Sequence, residues 1–329
     1  MSEVLQKYAI LFSKLNREKN RSWGDTLSNG APYKPLLLLS VIDLIERGEI
    51  HDNLVELTPE LGEMFNLYCA RILPMGVSGE IALPFYHLKS DGFWHLLPRP
   101  GFEDVIKYGG PIRSSGKIRD MLLGATFDNE LYQLLATKEE RDLLRRVLIE
   151  SYFSFDLQQK LLKLKEINAE AFEYSKELIV STHTKFTLIK EAIESETPLA
   201  KEVRDQAFRR IIVSAYNHQC AICGIRILTA KGYTAVAAAH IIPWSLSHND
   251  DPRNGFTLCR LCHWVFDEGL TTVNNHYKVK TSPQLYLNDN IPLHVASFEG
   301  KEILKPTESR FLPDLRAFEW HKNNIFRNA

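Results

Sequence analysis

The sequence predicts an α+β protein with a mostly helical N-terminal part, a helical connector and a C-terminal domain organised around four cysteines. Three observations lead to this prediction. Apolar residues recur at three- and four-residue spacing through much of residues 1–155, which favours amphipathic helices. Two β-prone runs flank Ser90-Asp91-Gly92 between residues 79 and 99, and this arrangement predicts a β-hairpin. Two CxxC pairs lie between residues 220 and 262, as in small domains that a metal ion holds together.

The N-terminal part opens with two predicted helices. Residues 3–16 carry four apolar side chains at helical spacing: Leu5, Tyr8, Phe12 and Leu15. Residues 33–50 contain a proline suited to the first turn of a helix and end near Gly48, which suits a helix C-terminus. Because the run from Leu36 to Leu39 is apolar on every face, we expect this second helix to be buried.

The elements that follow are predicted from local patterns. A strand is expected at residues 54–57 and a helix at residues 59–72, and residues 125–153 again show helical spacing of apolar residues. Residues 156–200 are interpreted as a helical connector, with a short flexible hinge at residues 194–202. A further helix at residues 205–216 is expected to lead into the first CxxC pair.

Four of the five cysteines are predicted to bind zinc. They are arranged as two pairs: Cys220 and Cys223, then Cys259 and Cys262. Four thiolates on two such knuckles close a tetrahedral structural site around one Zn²⁺ ion. Chance clustering of cysteines in a buried helix pair is the alternative, and it seldom produces two CxxC pairs in one short segment.

Polar residues in and around this segment occur in the order His, Asn, His. His240 lies in AAAHIIPW, Asn254 in DDPRNG, and His263 and Asp267 in LCRLCHWVFDEG. In these motifs, and in the ending FLPDLRAFEWHKNNIF, residues 201–329 resemble the restriction-type branch of the HNH nuclease family. The resemblance implies a ββα-metal nuclease domain with a four-cysteine zinc site.

The resemblance also implies a role for each of these residues. His240 stands where the family has its general base, and a neutral imidazole is available near pH 7. His263 and Asp267 lie four apart on an expected short helix, so both can bind one Mg²⁺ or Mn²⁺ ion. Asn254 is expected to brace the loop and orient the base. Trp244 is expected to pack against the cysteine pairs.

One position departs from the family pattern. Many HNH nucleases carry Asp or His directly before the general base as a further metal ligand, whereas this chain has Ala239. Asp250 or Asp251 could supply the missing oxygen, or water and substrate phosphate could complete the shell of the ion.

The N-terminal part resembles the sulfur-binding reader domain of phosphorothioate-dependent HNH restriction endonucleases. The resemblance rests on APYKPLLLL, LPFYHLKSDGFWHL and the helices up to residue 155. It implies a pocket for modified DNA with contacts from Tyr33, Lys34 and Pro84, although Leu83 departs from the aromatic residue usual before the proline. The alternative is that the aromatic residues of this region form an ordinary core.

Arginines of the helix before the first CxxC pair are expected to contact DNA phosphate. Arg209 and Arg210 are the predicted contacts, with Arg204 beside them, and a solvated helix face is the alternative. The formal net charge of −1 argues against a protein that coats DNA indiscriminately, but it allows a local basic groove.

The sequence shows no membrane-spanning run and no signal-peptide pattern at MSEVLQKYAI, so a cytoplasmic protein is expected. The domain prediction is a reader at 1–155, a connector at 156–200 and the nuclease at 201–329.

The leading hypothesis is a modification-dependent restriction endonuclease that acts on double-stranded DNA, with phosphorothioation as the expected mark. A homodimer would explain double-strand cleavage. The alternatives are recognition of methylated or hydroxymethylated cytosine, and a catalytically silent zinc-knuckle module that binds nucleic acid or protein.

Overall fold

A computed structural model describes residues 2–19, 23–74, 77, 79–108, 114–191, 197–229, 232–287 and 292–328. The chain divides into two compact units, which we call unit 1 (Met1–Glu166 with Thr229–Tyr233) and unit 2 (Ile167–Leu228 with Thr234–Ala329). Each unit has its own hydrophobic core. Every helix within the described ranges is too short or too polar to cross a lipid bilayer.

Unit 1 is mostly helical, as predicted. Its helices are α1 (Glu3–Ser13), α2 (Tyr33–Glu46), α3 (Pro59–Ile72), α4 (Ala82–His87), α5 (Glu103–Tyr108), α6 (Ser115–Met121), α7 (Asn129–Ala136), α8 (Lys138–Tyr152) and the first part of α9 (Phe155–Ser181). The strands described in this unit are β1 (Trp94–Pro98) and β2 (Leu122–Phe127), which pair antiparallel.

Helix α2 lies at the centre of unit 1. Residues Leu36 to Leu39 are fully buried, so the prediction of a helix surrounded by other structure is confirmed. Pro35 lies in the first turn, where the backbone N–H groups have no partner within the helix. Gly48 follows the helix with φ +68°, the left-handed conformation that a residue without Cβ adopts at least cost.

The predicted β-hairpin around Ser90-Asp91-Gly92 is wrong. The run before the turn forms α4, and β1 pairs with the distant β2 instead. Phe85 of α4 is fully buried against Trp94, whose indole Nε1 donates to the Phe85 carbonyl oxygen over 2.9 Å. Tertiary burial of the aromatic residues therefore outweighs their β propensity. The strand expected at 54–57 is reduced to a single bridge between Val55 and Ala125.

Unit 2 contains small sheets and several helices. They are the remainder of α9, then α10 (Pro198–Ala215), β3 (Val236–His240), α11 (Trp244–Ser247), β4 (Gly255–Cys259), α12 (Arg260–Asp267), β5 (Thr271–Val273), β6 (Val279–Thr281), α13 (Leu293–Ala296) and α14 (Leu315–Asn324). Of the hinge predicted at 194–202, residues 194–196 lie outside the described residues, and the segment from Pro198 on begins α10.

Strands β3 and β4 pair antiparallel, and α12 follows β4 directly, which gives a ββα arrangement. The register places His240 opposite Gly255. A Cβ atom at Gly255 would lie 2.5 Å from the ring of Phe208 in α10. The absence of a side chain at Gly255 therefore lets Phe208 approach the end of β3 where His240 lies.

Candidate active site

The four cysteines of the two CxxC pairs form one cluster. Their sulfur atoms all lie within 4.8 Å of one another, and the Sγ atoms of Cys223 and Cys259 are 3.7 Å apart. Cys259 ends β4 and Cys262 lies in the first turn of α12, so the ββα arrangement supplies half of the cluster. Cys220 and Cys262 are buried, whereas Cys223 and Cys259 are half-buried.

The electrostatics of this cluster fit a cation. Hydrogen bonds from the Cys223 and Cys262 thiols lower the pKa of Cys220 to about 2, which favours a thiolate. The same contact with the Cys220 sulfur raises the pKa of Cys223 to about 12, and contacts with Cys220 and Cys223 raise the pKa of Cys262. All four sulfurs can be thiolates at this spacing only when a positive charge lies between them, and Zn²⁺ prefers this donor set.

The imidazole of His240 is held on two sides. Its Nε2 atom lies 2.9 Å from the Oδ1 atom of Asp250. Its ring stacks on Phe208, with the centroids 3.9 Å apart and the planes within 5° of parallel. The side chain of His240 is 17% exposed, so it remains partly accessible at the end of β3.

Asp250 is buried and contacts several neighbours besides His240. Its Oδ2 atom accepts a hydrogen bond from Nε1 of Trp244 over 3.2 Å and from the hydroxyl of Tyr174 over 3.3 Å. The guanidinium of Arg204 lies 3.5 Å from Oδ1 and stacks on the Trp244 ring at 3.8 Å. Trp244 therefore packs against Arg204 and contacts Asp250, while its packing on the cysteine pairs stays an expectation.

The neighbouring aspartate has different partners. Both carboxylate oxygens of Asp251 accept hydrogen bonds from the Arg253 guanidinium, over 2.9 and 2.7 Å. Its Oδ1 atom also accepts from the Arg253 backbone N–H, which caps the short 3₁₀ turn Pro252–Asn254. Of the two aspartates considered as metal ligands in place of Ala239, Asp250 contacts His240 and Asp251 contacts Arg253.

Asn254 is fully buried and braces the loop after β3. Its Oδ1 atom accepts from the Ile242 N–H over 3.0 Å. Its Nδ2 group donates to the carbonyl oxygens of Ile242 and Asn249 over 3.1 and 3.0 Å. The amide thus holds the backbone around His240, whereas the carboxylate of Asp250 contacts the imidazole nitrogen directly.

His263 and Asp267 lie one turn apart on α12, with Nε2 and Oδ2 separated by 3.4 Å. Partial burial raises the pKa of Asp267, and Glu268 adds to that effect, whereas His263 opposes it. Both residues and His240 line one cavity of about 300 Å³. Three of the residues predicted from the HNH motifs therefore meet at one concave site.

The predicted DNA contacts on α10 are half-buried. The guanidinium of Arg210 lies over the ring of Phe172, 4.5 Å from its centroid. Arg209 lies on the same helix and is also partly accessible. Their contact with phosphate remains a prediction.

The predicted reader residues lie in unit 1. The ammonium of Lys34 is buried and pairs with Asp91 at 2.5 Å and with the Ser90 hydroxyl at 3.2 Å. Tyr33 is half-buried between the rings of Trp23 and Phe65. Pro84 is buried within α4. A phosphate contact by Lys34 would have to replace its ion pair with Asp91.

Sequence reasoning missed Phe208, which stacks on His240, and Tyr174, which donates a hydrogen bond to Asp250. Phe208 is one apolar residue of a helical pattern, and nothing in that pattern indicates stacking on an imidazole. Tyr174 lies 76 positions before the carboxylate it contacts. Local motifs carry no signal for a contact of this separation.

One comparison with known proteins, that with protein-family models, agrees with the geometry of unit 2. No curated protein matches the chain significantly. One similar solved structure is described as a modification dependent TagI restriction endonuclease, with 23% identity, a TM-score of 0.27, and coverage of 36% of this chain and 37% of that chain. This chain thus spans little more than a third of that protein. Residues 220–274 match a family model described as HNH endonuclease, so this part of the chain is an HNH endonuclease domain.

Proposed function

We propose that this protein is a modification-dependent DNA endonuclease whose HNH site hydrolyses phosphodiester bonds with the help of a divalent metal ion. The observation that carries the proposal is the common cavity of His240, His263 and Asp267. All three residues lie within residues 220–274, which match the HNH family model. A base and two ligand side chains at one concave site are what metal-assisted hydrolysis of a phosphodiester requires.

His240 is the proposed general base. An ionised carboxylate only accepts hydrogen bonds, so the 2.9 Å contact with Asp250 places the imidazole proton on Nε2. Nδ1 then carries the lone pair that takes a proton from the attacking water. Asn254 maintains the backbone from which the base projects, through its bonds to Ile242 and Asn249.

His263 and Asp267 are the proposed ligands of Mg²⁺ or Mn²⁺. When bound, such an ion supplies a Lewis acid that offsets negative charge on the leaving oxygen. Two protein donors leave coordination positions for water and substrate phosphate, which Mg²⁺ commonly retains. The four-cysteine cluster is proposed to hold a separate, structural Zn²⁺ ion.

Recognition of the mark is proposed to reside in residues 1–155, with residues 156–200 as connector and 201–329 as the nuclease. Phosphorothioated DNA is the first substrate to test, because of the resemblance of the N-terminal motifs to sulfur-binding readers. One HNH site breaks one strand, so a homodimer is proposed for double-strand cleavage.

Matched duplexes that differ only in one modification test the proposal. Four duplexes of one sequence would be compared at fixed salt: unmodified, phosphorothioated, 5-methylcytosine and 5-hydroxymethylcytosine. We expect tighter binding and faster cleavage, in Mg²⁺ or Mn²⁺, of the phosphorothioated duplex. A preference for a cytosine mark would reassign the substrate. Equal affinity for all four would contradict a reader, and binding without cleavage would indicate a zinc-knuckle binding module.

A further inference from the structure

We propose that Asp250 is the positioning residue of His240, selecting the tautomer and the ring orientation that the base needs. The inference rests on the proposed endonuclease function, which it deepens. Its starting point is the 2.9 Å contact between Nε2 of His240 and Oδ1 of Asp250. Asp250 lies ten positions after the histidine, in the loop between β3 and β4.

The two contacts of His240 fix different properties of its ring. Stacking on Phe208 fixes the plane of the ring. A 180° rotation of the imidazole within that stack would keep the plane of the ring but move each nitrogen to the opposite edge. The Asp250 carboxylate removes this ambiguity because it holds Nε2, and the nitrogen with the lone pair is then always Nδ1.

The carboxylate is itself held by three elements. Tyr174 of α9 and Trp244 of α11 both donate to Oδ2, while Arg204 of α10 places a positive charge beside Oδ1. Burial and the neighbouring carboxylate raise the pKa of Tyr174, so its hydroxyl keeps the proton it donates. Asp250 is 2% exposed and therefore reaches the substrate only through His240.

A metal-ligand role for Asp250 makes a different prediction. If Asp250 bound the catalytic metal ion in place of the ligand that Ala239 does not provide, the loss of Asp250 would raise the metal concentration needed for half-maximal cleavage rate. If it positions His240, its loss lowers kcat and changes the pH dependence instead. Among the described residues, the charged or titratable groups facing this site are Asp250 in the loop, Tyr174 on α9, Arg204 on α10, His263 and Asp267 on α12, and His321 on α14.

The test compares Asp250→Asn with wild type in DNA cleavage by the full chain. We expect kcat to fall by about 10²-fold, the lower range for loss of a working general base. KM and the Mn²⁺ concentration for half-maximal rate should stay unchanged. The acidic limb of the rate–pH profile should move to lower pH, because removal of the negative charge disfavours the imidazolium. An unmoved limb or a raised Mn²⁺ requirement would overturn the proposal.

Asp251→Asn is the matched control, since it alters the adjacent buried aspartate, which binds Arg253 and not His240. We expect it to lower thermal stability and to leave the position of the acidic limb unchanged. If the acidic limb shifted as far in Asp251→Asn as in Asp250→Asn, the loss of either loop aspartate would cause the shift. That result would overturn a specific role for Asp250.

The tautomer can also be measured without activity. Long-range ¹H–¹⁵N spectra of wild type near pH 8, assigned with His240→Ala, should show the His240 proton on Nε2. A proton on Nδ1 overturns the positioning role, even if Asp250→Asn does not fold. Absence of wild-type cleavage in Mg²⁺ and Mn²⁺ would instead overturn the proposed function, so the two failures are distinguishable.

Discussion

His321 of α14 donates a hydrogen bond from Nε2 to the carbonyl oxygen of Phe266 over 3.1 Å, directly before the proposed metal ligand Asp267. Its ring stacks on Phe266 with the centroids 3.8 Å apart. Its Nδ1 atom accepts from the hydroxyl of Thr272 over 2.9 Å. The C-terminal helix thus anchors the end of α12 through one neutral, buried imidazole whose two nitrogens are both satisfied.

This arrangement predicts that unit 2 loses stability in mild acid. Burial lowers the pKa of His321 to about 4, against about 6.5 in an unfolded chain. The unfolded state therefore binds the extra proton first as pH falls below about 6.5, and stability decreases until the pH reaches about 4. The full effect is on the order of 3 kcal/mol. Urea unfolding at pH 7.5, 6.5, 5.5 and 4.5 measures it.

His321→Phe provides the control, because phenylalanine keeps an aromatic ring and cannot titrate. We expect the variant to be less stable at pH 7.5, since the Phe266 carbonyl and the Thr272 hydroxyl lose a partner. Its loss of stability between pH 6.5 and 4.5 should be smaller than that of wild type. Equal acid sensitivity of both proteins would contradict this role of His321.

The proposed metal ligands predict a difference between two adjacent carboxylates. Asp267 lines the cavity with His240, whereas Glu268 pairs with Arg327 at 2.9 Å. Asp267→Asn should lower the cleavage rate at least about 10²-fold, the lower range for a residue essential to the chemistry, and raise the Mn²⁺ requirement. Glu268→Gln should cleave within about threefold of wild type, a change of roughly 0.65 kcal/mol. Initial cleavage rates measured over a range of Mn²⁺ concentrations test both variants. Equal losses of rate in Asp267→Asn and Glu268→Gln would contradict a specific metal-ligand role for Asp267.

The cysteine cluster predicts that zinc binding and stability of unit 2 are lost together. Cys223→Ser removes one of four sulfurs that lie within 4.8 Å of one another. We expect it to lose bound zinc and to unfold at a lower temperature, because structural zinc contributes directly to folding. Cys69→Ala is the control, since Cys69 lies in unit 1 and should leave the zinc content intact. Metal analysis of Cys223→Ser with full zinc content would refute the assignment.

The buried pair of Lys34 and Asp91 predicts a structural effect for a residue expected to contact DNA. The side chains are only 8% and 3% exposed. Lys34→Met removes the cation that pairs with a buried carboxylate, leaves the Asn16 backbone N–H as a donor to that carboxylate, and should cost about 3 kcal/mol of unfolding free energy. The double variant Lys34→Met, Asp91→Leu should recover part of that loss, because it removes the buried charge but leaves the Asn16 N–H without its acceptor. Weaker DNA binding without a change in stability would instead identify Lys34 as a phosphate contact.

Local patterns were sufficient to predict most helices of unit 1 and the chemistry-bearing residues of unit 2. Helix α2 follows from an apolar run with a proline in its first turn and a glycine just after its end. The cysteine cluster follows from the spacing within and between two pairs. His263 and Asp267 face one cavity because residues four apart share a face of a helix. Each of these features is determined by residues that lie close together in the sequence.

The features that local patterns missed depend on distant partners. Strand β1 pairs with β2, and Phe85 of α4 packs against Trp94 of β1, so the segment that resembles a hairpin forms a helix and a strand. Lys34 pairs with Asp91, which lies 57 positions later in the sequence. The sequence suggests Asp250 only as a source of metal-binding oxygen, because its contact with His240 depends on the conformation of the loop. Such contacts are set by tertiary packing.

Cleavage of supercoiled plasmid by wild type and His240→Ala decides whether His240 is the base of a metal-dependent nuclease site. Both proteins would be assayed with Mg²⁺ and with Mn²⁺, on DNA with and without phosphorothioate, after equal zinc content and equal melting temperature are established. We expect metal-dependent nicking or linearisation by wild type and a loss of cleavage rate of at least about 10²-fold in His240→Ala. Equal cleavage by the two proteins would contradict the assignment of His240 as the base of this site.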